Sequence, residues 1–586
     1  MKLDQAIASG FEPVSSPAQF TDAVVFQGKL FLCGPGGLLA FNPDGRPSGE
    51  WHVGRELPAA PLVQMGLGSG QQLWIATHGA GLLNFDGRVF EQVRPDDAIA
   101  RSLTAVLPLS TGGVVVGTEK AGALIWDGHS LRPLHGSLSG LHVSALAGSE
   151  TDLWVGTIDR GLLHWHAGQL EHFTEADGLP DSRVLSLAVT SDGAATYAGT
   201  AVGVAEFRNG RFTRTVAEGV FANSLLLRSN TLAIGTFEEG VIEVPLQAKP
   251  RRFRLPGEAS AFGPVHKLLE IDDRLIVLAE DGLYANARRL FEVPGARLTD
   301  RNVSALAVDR TGKLWVGYFD RGVDVIEPGY TRKTHFQDDH LFCVNRIMPE
   351  NDRGLTAVAT ANGLVMFDSS AKPRRVLTKA DGLISDNVTD ILLRPDGREL
   401  AMTLATPAGI TTIDSKGVSS LYAFHGLVNN HVYALASADS RLMAGTLGGL
   451  SMLDAGTVRA NYTTANSGLK QNWITAIQRV ADEWFVGTYG AGVVKLDSAG
   501  RWTTFPDLRG QIEVNANAML VTSRAVYAGT LGNGLAVYGR ASGRWSFLAN
   551  GLPSDNVTAL AFAAGELYIG TDNGLVRINE QQVPLP

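Results

Sequence analysis

His164 and His166, in the stretch LLHWHAG, are the side chains best spaced for metal chemistry. Two residues apart on a strand, they fall on one face, where two imidazoles can share a cation. The preferred reading is two exposed strand residues, and no metal or cofactor is expected. GLGSG at 66–70 sits in a turn with no helix behind it, so the helix N-terminus that would hold a phosphate is missing. No G-x-S-x-G, H-E-x-x-H, P-loop or paired C-x-x-C occurs. Cys33 and Cys343 read as two small buried hydrophobes without disulfide or redox chemistry. Asn302, Asn387 and Asn556 each open an N-x-S/T sequon, but all three share one repeat slot, which turn geometry explains better than glycosylation. The chain is therefore expected not to be an enzyme.

The elements that position these residues repeat. A small residue in a W-V-G-T slot recurs as Gly34, Ala76, Gly117, Gly156, Gly199, Gly235, Ala279, Gly317, Ala359, Gly445, Gly487, Gly529 and Gly570. A further copy, ELAMTLATPAGI at 399–410, fills the one gap, giving a period of about 41 residues. Each unit breaks into four short strands. NVTALAF alternates apolar residues, and ELYIGT follows with an aromatic two before the anchor; a glycine turn leads into GLVRIN, and a fourth strand such as QLEHF comes last. No window carries a helical period. Four strands per repeat of this length predict a β-propeller blade, and one blade cannot bury both its faces alone. Fourteen blades exceed the usual ring, so two tandem seven-bladed propellers are expected, residues 1–295 and 296–586. FEPV at 11–14 resembles a fourth strand without its blade and is expected to close a ring by pairing with a chain-terminal blade.

The totals fit. A chain of 586 residues exceeds one ordinary domain, and its 45% hydrophobic content is ample for packed cores. The 67 glycines suit many tight turns. A net charge of −9 with no basic block disfavours nucleic acid and acidic lipid as partners. The first twenty residues lack the apolar core of a secretory signal, and no run of 18 apolar residues could span a membrane.

VDRTGKLWVGYFDRGV at 308–323, with GLPSDNV and LYIGTDNGL, resembles the two-component regulator propeller repeat. The resemblance covers essentially the whole chain and is weaker in blades 1, 6, 7 and 10. It implies paired seven-bladed propellers of the kind that form the periplasmic sensor half of hybrid two-component receptors, many of which respond to glycans. Membrane helix, kinase segment and terminal sandwich domain are missing from this sequence, which puts signalling output in doubt and leaves sensing or binding. The location implied is periplasmic or extracellular, or cytoplasmic if Met1 is the native start.

The slot before each first strand is expected at a channel mouth. In the second ring it reads Asn302, Arg346, Asn387, His431, Trp473, Asn515 and Asn556; in the first, Leu62, Ser102, His142, Arg183 and Pro264. Arg346, His431 and Trp473 break the asparagine pattern. They supply a planar cation, a switchable donor or acceptor and a stacking face, a set suited to a polar or sugar-like ligand. The turn between second and third strands should open on the same face. Pattern-breakers there are His78, Asp159, Arg160, Phe237 and Glu238 in the first ring, and Phe319, Asp320, Arg321 and Tyr489 in the second. A local surface pair is the preferred reading of each Asp-Arg-Gly. The candidate ligand-binding set is Arg346, His431, Trp473, Tyr489, Asp320, Arg321, His142 and Arg183. A non-catalytic sensor with a small polar or glycan ligand is favoured over a protein-binding adaptor or subunit of a larger assembly. The third alternative is a propeller lyase or glycosidase using Asp320, Glu238 or His431.

Overall fold

The computed structural model describes residues 10–14, 19–246, 253–254, 264–279, 282–285, 288–290, 298–330, 332–396, 399–508 and 510–586. Among these residues there is no α-helix, and the strands form fourteen four-stranded antiparallel sheets. We number the sheets in chain order. The chain divides into two compact units, one built within Pro17–Val293 and the other from Ala8–Ser16 with Pro294–Pro586. Seven sheets fall in each unit, in the arrangement of a β-propeller. The expected boundary at 295/296 lies outside the described residues.

The repeat anchor has a steric cause. A Cβ on Gly117, Gly156 or Gly317 would fall 2.5–2.7 Å from Cγ1 of Val143, Val184 or Val344, the valine that opens the next sheet. Gly570 of sheet 14 stands in the same relation to Val303 of sheet 8, at 2.6 Å, so the second unit closes on itself. In the first unit, Ile276, Leu278 and Leu283 of sheet 7 pack with Ala23, Leu32 and Leu39 of sheet 1. The threonine after the anchor caps the following turn: the Oγ1 of Thr77 donates to Gly81 O at 2.6 Å, and that of Thr488 to Gly492 O at 2.9 Å. Second strands such as Leu73–Thr77 and Leu314–Tyr318 are buried along their whole length, which is why they carry few polar residues.

The N-terminal segment behaves as its sequence suggested. Strand Glu12–Pro13 is the fourth strand of sheet 14, pairing antiparallel with Gly574–Asn579 through Glu12↔Arg577 and Pro13↔Val576. Phe11 and Val14 on either side of it are buried. The ring it completes is that of the second unit.

Candidate functional site

First strands and the turns after second strands share one face of each unit, as expected. The N–H of the residue after the capping threonine donates to the carbonyl of the slot residue. Examples are Leu447 to His431 at 3.0 Å, Tyr489 to Trp473 at 3.0 Å and Ile158 to His142 at 3.1 Å.

The register corrects three slot assignments. Val344 opens its strand, so Cys343 occupies the slot and Arg346 lies two residues inside, opposite Ala359. Val514 likewise puts Glu513 in the slot and Asn515 beyond it. Leu62 itself pairs with Thr77, leaving Pro61 in the slot. All three errors come from counting without the anchoring apolar residue that packs on the preceding sheet.

The residue after that anchor carries a polar belt that sequence reading missed. In the second unit the Oγ of Ser304 donates to Val344 O at 2.6 Å and Asn345 Nδ2 to Val388 O at 2.8 Å. Thr389 Oγ1 then donates to Val432 O at 2.6 Å, Thr475 Oγ1 to Val514 O at 2.7 Å, and Asn515 Nδ2 to Val557 O at 2.7 Å. Thr558 Oγ1 returns to Val303 O and closes the circle. Each link ties one sheet to the next. The sequon hydroxyls of Ser304, Thr389 and Thr558 are thus structural donors, which accounts for the recurring N-V-S/T.

One link of the seven differs. Tyr433 stands where a donor to Ile474 O belongs. Its ring stacks on His431 (4.3 Å between centroids, 7° between planes) and meets Trp473 at 5.5 Å, and Trp473 meets Tyr489 at 4.4 Å. Glu513 lines the same cleft as Tyr489, and its charge bears on the Tyr489 phenol. The four rings make a half-buried aromatic row across sheets 11 and 12. Burial pushes the His431 imidazole below its ordinary value, so it is neutral near pH 7. Burial likewise raises the Tyr433 phenol; for Tyr489, burial acts first and the Glu513 charge second.

Two clefts flank the row. His431 and Tyr433 wall one of about 420 Å³, with Asn387, Thr389, Asn515 and Asn517 also lining it and Phe319 and Cys343 at its edge. Trp473 and Tyr489 wall another of about 530 Å³, with Gln471, Gln511 and Glu513. The buried Trp473 Nε1 has no hydrogen-bond partner. Both clefts thus set polar groups beside aromatic faces, the combination that orients a polar ring compound.

Arg346 acts beneath the first cleft. Sheet 13 carries an enlarged bulge: Val514 pairs with Thr530, but the next pair is Met519 with Ala528. The intervening Asn517 is left-handed (φ 56°); its carbonyl accepts from Arg346 Nη1 at 3.1 Å and its Nδ2 donates to Thr389 O at 2.8 Å. Arg346 Nε lies 3.5 Å from Oδ1 of the buried Asp390, which also accepts N–H bonds from Ile391 and Leu435. Burial pushes the Asp390 carboxyl up, against the pull of Arg346 and both N–H groups. Arg346 therefore holds the bulge and is not a side chain of the mouth.

Of the other expected residues, Asp320 and Arg321 are exposed in the sheet 8 turn, and Asp320 adds to burial in raising the Cys343 thiol. Neither Asp320–Arg321 nor Asp159–Arg160 forms an ion pair among the described residues, so the expected local pairs are not made. His142, half-buried, and Arg183, exposed, lie on adjacent sheets of the first unit and do not belong to the aromatic row. His164 is not exposed: it stacks on Trp154 at 3.8 Å and is 4% accessible.

No protein-family model and no curated protein matches the chain. Among solved structures it is similar to PorZ, described as an essential bacterial surface component of the type-IX secretion system of Porphyromonas gingivalis. That match has a TM-score of 0.70 at 15% identity and covers 97% of this chain and 87% of that one. The two share a fold. Structure neighbours also include extracellular domains of proteins described as hybrid two-component systems of B. thetaiotaomicron. BT3049 matches with TM-score 0.41 and 19% identity over 96% of this chain and 82% of that one; BT4673 matches with 0.40 and 15% over 89% and 81%.

Proposed function

We propose that the chain is a pair of seven-bladed β-propellers that binds a small polar ring compound, a glycan or similar metabolite, without turning it over. The ligand sits on the aromatic row of the second unit. The observation that carries this is Tyr433: at the one belt position without a Ser, Thr or Asn donor, an aromatic side chain builds a continuous row with His431, Trp473 and Tyr489. A stacked ring there gains roughly 1–3 kcal/mol, while Glu513, Gln471 and Gln511 offer hydroxyl partners. The resemblance of the repeats to two-component regulator propellers supports a sensor-type role outside the cytoplasm. Among the described residues no helix is long and apolar enough to cross a membrane.

A glycan and polar-metabolite screen by thermal shift, followed by calorimetry on hits, tests the proposal. Hits that Trp473→Ala and Tyr433→Thr leave unchanged overturn the site, and turnover of any hit overturns the non-catalytic reading.

Exposed apolar side chains on the same face, Phe319 at 57% and Leu447 at 42%, favour a second reading in which this face docks a protein. Similarity in fold to a described secretion-system component agrees with it. Loss of a co-purifying partner on Phe319→Ser, with no small-molecule hit, separates the two.

A further inference from the structure

In the fourth sheet, strand Leu162–His166 runs between Asp152–Thr157 and Gln169–Phe173, and its pairing brings His164 opposite both Trp154 and Glu171. His166 lies two residues on, on the same face. The two imidazoles stack at 4.4 Å between centroids. His164 Nδ1 and His166 Nε2 are buried nitrogens without a hydrogen-bond partner, although each points toward the same carboxylate oxygen. Glu171 Oε2 lies 3.6 Å from His164 Nδ1 and 3.5 Å from His166 Nε2. All three ligand atoms lie within 4.8 Å of one another.

Those separations are too long for good hydrogen bonds but suit donors that share an ion. Bonds of about 2.0–2.1 Å to a tetrahedral centre put neighbouring ligand atoms roughly 3.3–3.4 Å apart. The His–Glu separations need close by only a few tenths of an ångström, whereas the two nitrogens, within 4.8 Å of each other, also require the imidazoles to turn toward a shared ion.

The surroundings also suit an ion at this point. Asp152 Oδ1 takes the hydrogen bond from His164 Nε2 at 2.5 Å, which leaves the lone pair on Nδ1 turned toward Glu171 and His166. A carboxylate behind an imidazole is the usual device for fixing the tautomer of a ligating histidine. Trp154 locks the His164 ring by stacking at 8° between planes. Gly210, in the hairpin of the next sheet, leaves room where a Cβ would lie 3.4 Å from His164 Nδ1 and 3.7 Å from Glu171 Oε2. Side-chain exposure of 35% at His166 and 46% at Glu171 gives an ion a path from solvent.

We propose that His164 Nδ1, His166 Nε2 and Glu171 Oε2 form a binding site for one divalent transition-metal ion of the zinc, cobalt or nickel class. Two imidazoles and one carboxylate suit these borderline ions better than calcium or magnesium, which prefer all-oxygen shells. With three protein ligands, a fourth position is open to water or to an anionic group of a ligand. This site lies in the first unit and does not depend on the aromatic row.

The test is calorimetric titration of the chelator-stripped full chain with zinc chloride, and of the same chain with cobalt chloride read by absorption. One equivalent bound, with cobalt bands of tetrahedral intensity, is expected. His166→Ala with Glu171→Gln should abolish that equivalent, and His129→Ala, at an exposed histidine elsewhere, should not. Asp152→Asn, which keeps all three ligands, should weaken zinc about ten- to hundredfold. Circular dichroism confirms that each variant is folded; should the double variant not fold, His166→Gln alone is expected to abolish the equivalent and Asp152→Asn to weaken it as stated. Failure of the unmutated chain to take up one equivalent, or uptake unchanged in these variants, overturns the proposal.

Discussion

Lys267 Nζ lies 2.9 Å from Asp22 Oδ1, joining the seventh sheet of the first unit to its first. Asp22 is buried and also accepts N–H bonds from Ala23 and Met65. The Arg346–Asp390 pair repeats this plan in the second unit, with Ile391 and Leu435 as the N–H donors. In the first unit this pair and the contacts of Ile276, Leu278 and Leu283 with the first sheet span the junction.

Lys267→Met should therefore destabilise the first unit by roughly 3–5 kcal/mol, because it leaves a buried carboxylate without its cation. Arg501→Ala, which breaks an equally short pair with Asp497 at the surface, should cost under about 1 kcal/mol. Urea unfolding of both variants checks the contrast; equal effects would show that the Lys267 pair is not a clasp.

Removal of residues 1–16 should destabilise the second unit. It uncovers the edge of Gly574–Asn579 and removes Phe11 and Val14 from their apolar surroundings, about 1.5–3 kcal/mol each. Hydrogen exchange at Arg577, whose backbone faces the lost strand, reports the loss locally, and unchanged protection there would refute the closing role.

Tyr433→Thr restores the belt pattern. It gains a hydrogen bond to Ile474 O worth about 0.5–1.5 kcal/mol and loses ring contacts of similar size, so the melting temperature should hardly move. Ligand binding should fall with the row. Thr389→Val, by contrast, strands the buried Val432 carbonyl and should cost about 1–3 kcal/mol.

Trp473→Ala should weaken ligand binding ten- to hundredfold, on the order of 1.4–2.8 kcal/mol. Because the ring is half-buried against Tyr433 and Tyr489, stability should also fall, by about 1–2 kcal/mol, less than the 3–5 of a fully buried aromatic. Trp473→Phe keeps a stacking face and should recover most of the affinity. A large loss of stability with unchanged affinity would make the residue structural.

His431 sets a pH dependence. Its folded-state pKa is lowered, so the unfolded chain takes up its proton first as pH falls. The contribution is fully present above about pH 6.5 and is lost as pH drops from there through the lower folded value. Melting curves of the wild type and His431→Asn between pH 7.5 and pH 5 should converge toward the acid end; parallel curves would exclude the effect.

Much of the fold was legible because it is local and repeated. The Gly-Thr pair encodes a close approach to the next sheet's opening residue and a capped turn, and in most copies both appear as a short string of residues. The N-terminal strand was legible for the same reason, as a fourth strand without its blade. The site was legible only in part. His431, Trp473 and Tyr489 stood out as breaks in a pattern, and register brought them together. Tyr433 carried the same signal, one residue past the anchor, where the hydroxyl and amide donors of the belt recur. Arg346 and Asn515 were misplaced because slot position depends on which residue packs against the preceding sheet, and neighbouring strings do not record that. The sequence by itself determined the blades, their number and the order of their strands, since each follows from alternation and turns within about 41 residues. Only the tertiary structure decided that Asn517 reaches Arg346 and Thr389, that Lys267 meets Asp22, and that Asp152 and Glu171 converge on His164. Such contacts join residues of different strands or sheets, and their energy depends on distances that the chain acquires only once its strands pair and its rings close.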